Sequence, residues 1–155
     1  MHCGLAALDS RRLEKGYRDY AVDIDNTDTP VSAGFGFAVA WAKGDFVGRD
    51  ALAKIKAKGV LQTRLVQVVL DQADPMLHGH EPVFANGGCV GQVRAGSFGH
   101  ALGASVGIAT ISHPEGVSVD WLAGTKFEVQ VNDGHFGAGL ALRPFYDPDG
   151  VRLRG

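Results

Sequence analysis

Cysteine is scarce in this chain. Cys3 and Cys89 are the only two in 155 residues, too few for a disulfide scaffold, and a reduced, cytoplasmic setting is the default expectation. A surplus of one charge is also missing: 15 Lys and Arg stand against 17 Asp and Glu, a net charge of −2. That balance argues against a general nucleic-acid surface. No apolar run approaches the length of a membrane span, and the first residues lack the order of a signal peptide. Internal repeats and low-complexity segments are absent as well. The expected setting excludes both nucleic acid and membrane.

What is present is glycine, 22 residues spread among apolar runs, which points to turns and bulges rather than disorder. With 45% hydrophobic and 21% charged residues, the chain has material for one domain, or one and a fraction, with a real core.

The opening stretch organises the rest. Leu5, Leu8 and Arg12 fall on one face of a short helix, and Gly16 stands where a left-handed C-cap would end it. An arginine on an apolar stripe must meet a fixed acceptor or a planar anion rather than water. Glu14, in the last turn, opposes the helix dipole. The plainer reading has Arg12 snorkelling over the apolar face to cap the last carbonyls, with Glu14 and Lys15 solvated. A helix of this kind almost at Met1, with no strand before it, looks like the back part of something longer.

Residues 17–30 are polar and turn-rich, and Thr29-Pro30 forces an extended or turn conformation. The apolar run 33–41 (AGFGFAVAW) reads as a buried strand. Residues 51–58 read as a helix with Leu52 and Ile55 on one face and lysines on the other, stopped by Gly59. For Arg49, just before it, a surface ion pair or a helix-start contact is expected. From Arg64 onward the texture is β. Strands are expected at 65–70, 81–84, 89–93, 105–111, 127–131 and 140–142, with hairpin turns at Asn86-Gly87 and Asn132-Asp133-Gly134. The fold class is therefore α+β, its later part a small antiparallel β-barrel or jelly roll.

Several constellations carry little chemistry. His78 and His80 lack a third metal ligand at credible spacing and read as loop histidines. Cys89 enters an apolar strand, where a buried inert thiol is expected. Ser97, His100 and Asp120 lack a nucleophile elbow. The glycines of 134–139 have the wrong spacing for a dinucleotide fold and precede no helix.

Asp9-Ser-x-Arg-Leu-Glu-x-Gly-Tyr17, then Asp23-Ile-Asp25, Thr29-Pro30 and Ala33-Gly34, closely resembles a segment of the glycine-cleavage T-protein (aminomethyltransferase) superfamily. The version Leu-Glu-Lys-Gly-Tyr-Arg at 13–18 is more similar to the dimethylglycine and sarcosine dehydrogenase branch. Phe46 to Leu52 resembles the segment before that family's C-terminal barrel. Val90-Gly91 and Gly96-Ser97-Phe98-Gly99 resemble its barrel motifs. Ser32, Arg11 and Ala95 depart from the pattern.

The resemblance implies a residual segment of a folate-binding domain at 1–58 and a barrel domain at 59–155. It also implies tetrahydrofolate as cofactor, accepting a one-carbon unit. Arg12 matches the family's folate-site arginine, whose planar guanidinium suits carboxylates or carbonyls. Glu14 and Tyr17 are carried as its neighbours, while Arg143 and Tyr146 stand where C-terminal residues approach the folate. The family's catalytic aspartate lies earlier in the full-length protein, and no motif here matches it. The partner implied is the missing N-terminal half or a flavin-domain polypeptide, with self-association a further expectation. A non-catalytic interaction module, or a remnant of the family, is the alternative.

Overall fold

The computed structural model describes residues 3–155. Its centre is a closed barrel of six antiparallel strands in the order β1-β4-β3-β2-β5-β6, with β6 returning to β1. The strands are β1 (Thr63–Leu70), β2 (Pro82–Ala85), β3 (Gly88–Gly99), β4 (Ala104–Ser112), β5 (Phe127–Val131) and β6 (Gly134–Ala141). The first hairpin turns at Asn86 and Gly87 and the second at Asn132, with φ of +50°, +80° and +53°, as turns matching the twist of two strands require. The jelly-roll alternative gives way to the barrel.

Alternation along β1 divides the molecule into two apolar layers. Val66, Val68 and Leu70 point inward and join Val83, Val93, Ile111 and Val129 in the barrel core. Leu65 points outward to Leu13, Ala33, Ala95, Val106 and Ile108 in a second cluster. Both faces of β1 are thus covered, and its apolar run is nearly continuous. The outer cover is helix α1 (Leu5–Glu14), lying over β3 and β4.

Glycine matters where backbones touch. A Cβ on Gly91 would strike the carbonyl of Thr110, and one on Gly96 would strike Leu77. Between them a bulge at Arg94 shifts the β3–β4 register. The bulged residue sends its guanidinium to Thr110 Oγ1 at 2.6 Å and to Asp28 at 3.1 and 3.4 Å. That pair ties the polar stretch 17–30 to the barrel.

Helix α2 (Arg49–Ala57) forms as expected, one residue short of the expected end. The expected strand at 33–41 does not form. Gly36–Ala38 and Trp41–Lys43 are single 3₁₀ turns, and Phe37 is 85% exposed. Every barrel strand is already paired on both edges, so a seventh has no edge to join. The run folds on itself instead: Phe35 meets Phe37 edge-on, Trp41 Nε1 donates to Gly36 O at 3.2 Å, and Lys56 sits 4.4 Å above the Trp41 ring.

Two short helices were not anticipated. Helix α3 (Val119–Gly124) starts at Ser118, whose hydroxyl accepts from Trp121 N at 3.0 Å, a serine N-cap. Helix α4 (Val151–Arg154) follows Gly150. Cys89 is exposed rather than buried, because it sits at the hairpin end of β3 beyond the core. Arg49 makes no ion pair among the described residues, and its Nε is buried without a partner. No helix among them is long and apolar enough to cross a membrane.

Candidate functional site

Helix α1 meets the barrel on a side that hydropathy does not mark. Leu5 is 81% exposed and Leu8 58%, so the expected Leu5–Leu8 face turns away from the core. The buried positions are Ser10, Leu13 and Glu14, spaced i, i+3, i+4. Two of these three are polar anchors. Ser10 Oγ donates to Phe98 O at 2.7 Å, and Glu14 Oε1 accepts from the Ala101 backbone N–H at 2.5 Å. Leu13 fills the outer cluster between them.

The helix ends as the sequence predicts. Gly16 has φ +64°; its N–H donates to Leu13 O at 3.0 Å and that of Tyr17 to Arg12 O at 2.8 Å, the two bonds of a Schellman motif. The last carbonyls of the helix are also met by Gln67 of β1, 3% exposed. Its Nε2 donates to Leu13 O and, at 3.1 Å, to Glu14 O. Its Oε1 accepts from Phe145 N at 2.5 Å. A single buried amide thus holds both the end of α1 and the segment after β6.

Between those two held elements lies a cleft of about 1060 Å³. Helix α1 lines it together with Phe98 and Met76, which add apolar surface, and with Tyr146, Asp147, Arg152 and Leu153 of the C-terminal segment. Lys15 bridges the walls, its Nζ donating to Asp147 O at 2.7 Å and Asp147 Oδ2 at 3.1 Å. Burial would raise the Asp147 carboxyl, but hydrogen bonds from Lys15 and from backbone N–H groups outweigh it and hold it below the usual range. Arg152 stacks on Tyr146, 5.5 Å from the ring centre.

The residues singled out in the sequence divide as follows. Arg12, Glu14, Tyr17 and Tyr146 all line this cleft, whereas Arg143 does not. Arg143 bonds Pro148 O at 2.9 Å and Asp149 at 2.7 Å on the exposed surface. Glu14 is turned into the protein, between Ala101 N–H and the Arg11 guanidinium at 3.2 Å. Tyr17 stands on the rim, 56% exposed.

Arg12 meets fixed acceptors. Its Nε donates to Asp9 at 2.8 Å and its Nη1 to Asp23 Oδ2 at 2.5 Å, with Tyr17 O a longer contact at 3.4 Å. Burial alone would lower its pKa; the bonds and charges of Asp9 and Asp23 outweigh that and raise it. Asp23 is fully buried, and its Oδ1 has no partner among the described residues. Burial pushes its carboxyl up, against the Asp19 N–H and Arg12, which pull it down. Arg18 donates from Nη1 to Gly16 O at 2.6 Å, and burial lowers its pKa against the charge of Asp23.

Sequence reasoning missed Gln67 and the Lys15–Asp147 bridge. Gln67 left a signal, as the lone polar residue within the apolar run 65–70; the bridge spans most of the chain and left none. Ser97 and His100 line the cleft, but Asp120 lies on α3, outside its lining. No group of three His, Cys, Asp or Glu side chains among the described residues could hold a metal ion.

Comparison with known proteins bears on what such a cleft is for. Residues 63–147 match the glycine cleavage T-protein C-terminal barrel domain, and residues 1–43 match the GCVT N-terminal domain. The chain is 43% identical over 153 residues to 4-methylaminobutanoate oxidase (formaldehyde-forming) of Paenarthrobacter nicotinovorans, covering 98% of the chain and 18% of that protein. It is 32% identical over 158 residues to mitochondrial sarcosine dehydrogenase of Mus musculus, covering 100% and 17%. It is 37% identical over 145 residues to an aminomethyltransferase of Rippkaea orientalis, covering 93% and 37%. Among solved structures, the glycine cleavage system aminomethyltransferase T from Bartonella henselae superposes with a TM-score of 0.78 at 26% identity, over 94% of this chain and 39% of that one. The chain thus spans well under half the length of these relatives.

Proposed function

The chain belongs to the glycine cleavage T-protein family, and from that premise we propose that it supplies one wall of a tetrahydrofolate pocket in a one-carbon (aminomethyl) transfer protein of glycine, dimethylglycine or sarcosine catabolism. The observation that carries this reading is the cleft between α1 and the C-terminal segment, which brings Tyr146 to Arg12 and Tyr17 from the far end of the sequence. Its lining suits a flat heterocycle with polar ends. Phe98 and Met76 offer apolar contact, and hydrogen-bonding groups stand at the rims. Its volume of about 1060 Å³ lies at the upper end of the roughly 300–1,000 Å³ usual for small-molecule sites.

In this reading Arg12 donates to an acceptor atom of the ligand, and Tyr17 and Tyr146 border it. Tetrahydrofolate, when bound, supplies the amine that accepts the one-carbon unit. The partner is the polypeptide carrying the remainder of the pocket, either an N-terminal half or a flavin-bearing chain. Calorimetric titration with tetrahydrofolate tests the assignment: weak binding is expected for the 155-residue chain, and Arg12→Ala should lower affinity about tenfold or more. Equal affinity for the two would remove Arg12 from the site.

A second reading, a non-catalytic docking module, draws on a different observation. Leu5, Leu8, Val151 and Leu153 are all exposed, and Leu8 and Leu153 border the same cleft from its two walls. Absence of any folate binding, with tight capture of a family N-terminal half, would favour it.

A further inference from the structure

Asp23 is a costly residue as it stands. Its side chain is fully buried, one carboxylate oxygen has no partner among the described residues, and burial drives its pKa upward. A buried carboxylate with an unsatisfied oxygen is poorly explained by stability, since an uncharged residue of similar volume is often neutral or better there. What the charge accomplishes is visible one atom away. Asp23 Oδ2 lies 2.5 Å from Arg12 Nη1 and 2.7 Å from the Asp19 backbone N–H. The N–H holds the carboxylate in place, and the carboxylate holds the guanidinium. Asp9 takes Nε at 2.8 Å, so two carboxylates, one at Nε and one at Nη1, fix the orientation of Arg12. Arg12 is left 10% exposed on the cleft wall.

We infer that Asp23 is the positioning residue for Arg12: from behind the cleft wall it sets the plane of the guanidinium and keeps it from collapsing onto other carboxylates. The charges facing Asp23 are Arg12 on α1, and Asp19 and Arg18 in the segment between α1 and Asp23 itself. Of these only Arg12 bonds its side chain through a side chain. Asp9 alone would not suffice, because its own side chain is 47% exposed and free to swing away with the ion pair screened by solvent. The ligand consequence of this role rests on the tetrahydrofolate reading above. The geometric role does not.

The experiment follows the Arg12 Nε–H signal by ¹H–¹⁵N NMR in the full 155-residue chain, identified by its loss in Arg12→Lys. In Asp23→Asn, which keeps the size and an acceptor oxygen but loses the charge, hydrogen exchange at Arg12 Nε–H should accelerate by about tenfold or more. Asp23→Glu should recover part of the protection. If D23N does not fold, acid titration of the unaltered chain gives the same readout: the Arg12 signal should loosen as Asp23 takes up its proton, above the pH at which ordinary aspartates do so. Arg12 Nε–H protection, taken relative to free arginine at the same pH, that stays unchanged in D23N, or through that titration, overturns the inference. In parallel, tetrahydrofolate affinity should fall in D23N by about the factor seen in Arg12→Ala. If the unaltered chain and Arg12→Ala bind alike, the folate reading fails while the exchange data still decide the role of Asp23.

Discussion

At the scale of single residues, Asp23 and Asp147 titrate in opposite directions, and the signs separate their roles. Burial raises the Asp23 carboxyl above the ordinary 3.8 in the folded protein. The folded state therefore holds that proton more tightly than the unfolded chain, so the contribution of Asp23 to stability is full in acid and lost as pH rises through its folded pKa. Asn at this position does not titrate. The difference in unfolding free energy between the unaltered chain and Asp23→Asn should thus move in favour of Asp23 as pH falls from 7 toward 4, measured by urea unfolding at several pH values. A difference moving the other way would mean that Arg12 outweighs burial. Asp147, held below the ordinary value by Lys15 and backbone N–H groups, stabilises above 3.8 and loses that contribution only as pH falls through its folded pKa. That Arg12 meets fixed acceptors was legible in the sequence, because an arginine on an apolar stripe demands a partner other than water. Which partners it takes was not legible. Asp23 stands 11 residues on, within a stretch that has no regular period to align it.

At the scale of elements, the barrel was readable because its signals are local. The Asn86-Gly87 turn, the alternation of 127–131 and the turn at Asn132 each specify a hairpin from a handful of neighbouring residues. Two elements were misread for reasons that are not local. The run 33–41 is apolar enough for a strand, but closure of the barrel leaves it no edge. Helix α1 shows an apolar stripe at Leu5 and Leu8, yet docks through Ser10, Leu13 and Glu14, because hydrogen bonds to Phe98 O and Ala101 N–H fix its rotation. Hydropathy periods do not register polar docking of this kind. Gln67 is the sharpest case. Gln67→Leu would preserve the apolar character of β1, strand the carbonyl of Glu14 and the N–H of Phe145, and leave Leu13 O with its Gly16 bond alone. A loss of about 2–4 kcal/mol is expected from unsatisfied buried groups, read by urea unfolding. Amide exchange should quicken at Phe145 while the β3–β4 ladder stays protected. Uniform loosening of the whole barrel would show instead that Gln67 serves the core.

At the scale of the whole molecule, one feature governs what the chain can do alone. Transfer of an aminomethyl carbon needs a carboxylate or equivalent base free to act on the accepting amine. The carboxylates that line the cleft, Glu14 and Asp147, are both engaged. Glu14 is 1% exposed and bonded to Ala101 N–H and Arg11, and Asp147 is bound to Lys15. Asp9 and Asp23, just behind, are committed to Arg12. His100 lines the cleft but packs edge-on against Phe98, 5.2 Å between ring centres. The described part of the cleft therefore offers no uncommitted carboxylate, and His100 is the one imidazole beside it. The purified 155-residue chain should show no aminomethyl transfer to tetrahydrofolate above the uncatalysed rate, even at ligand concentrations that saturate it. Adding a polypeptide that supplies the N-terminal domain of the family should restore turnover, and Arg12→Ala should reduce that restored rate. Turnover by the chain alone would require His100 to serve as the base or one of the engaged carboxylates to leave its partner, and His100→Ala, Glu14→Gln and Asp147→Asn would identify which.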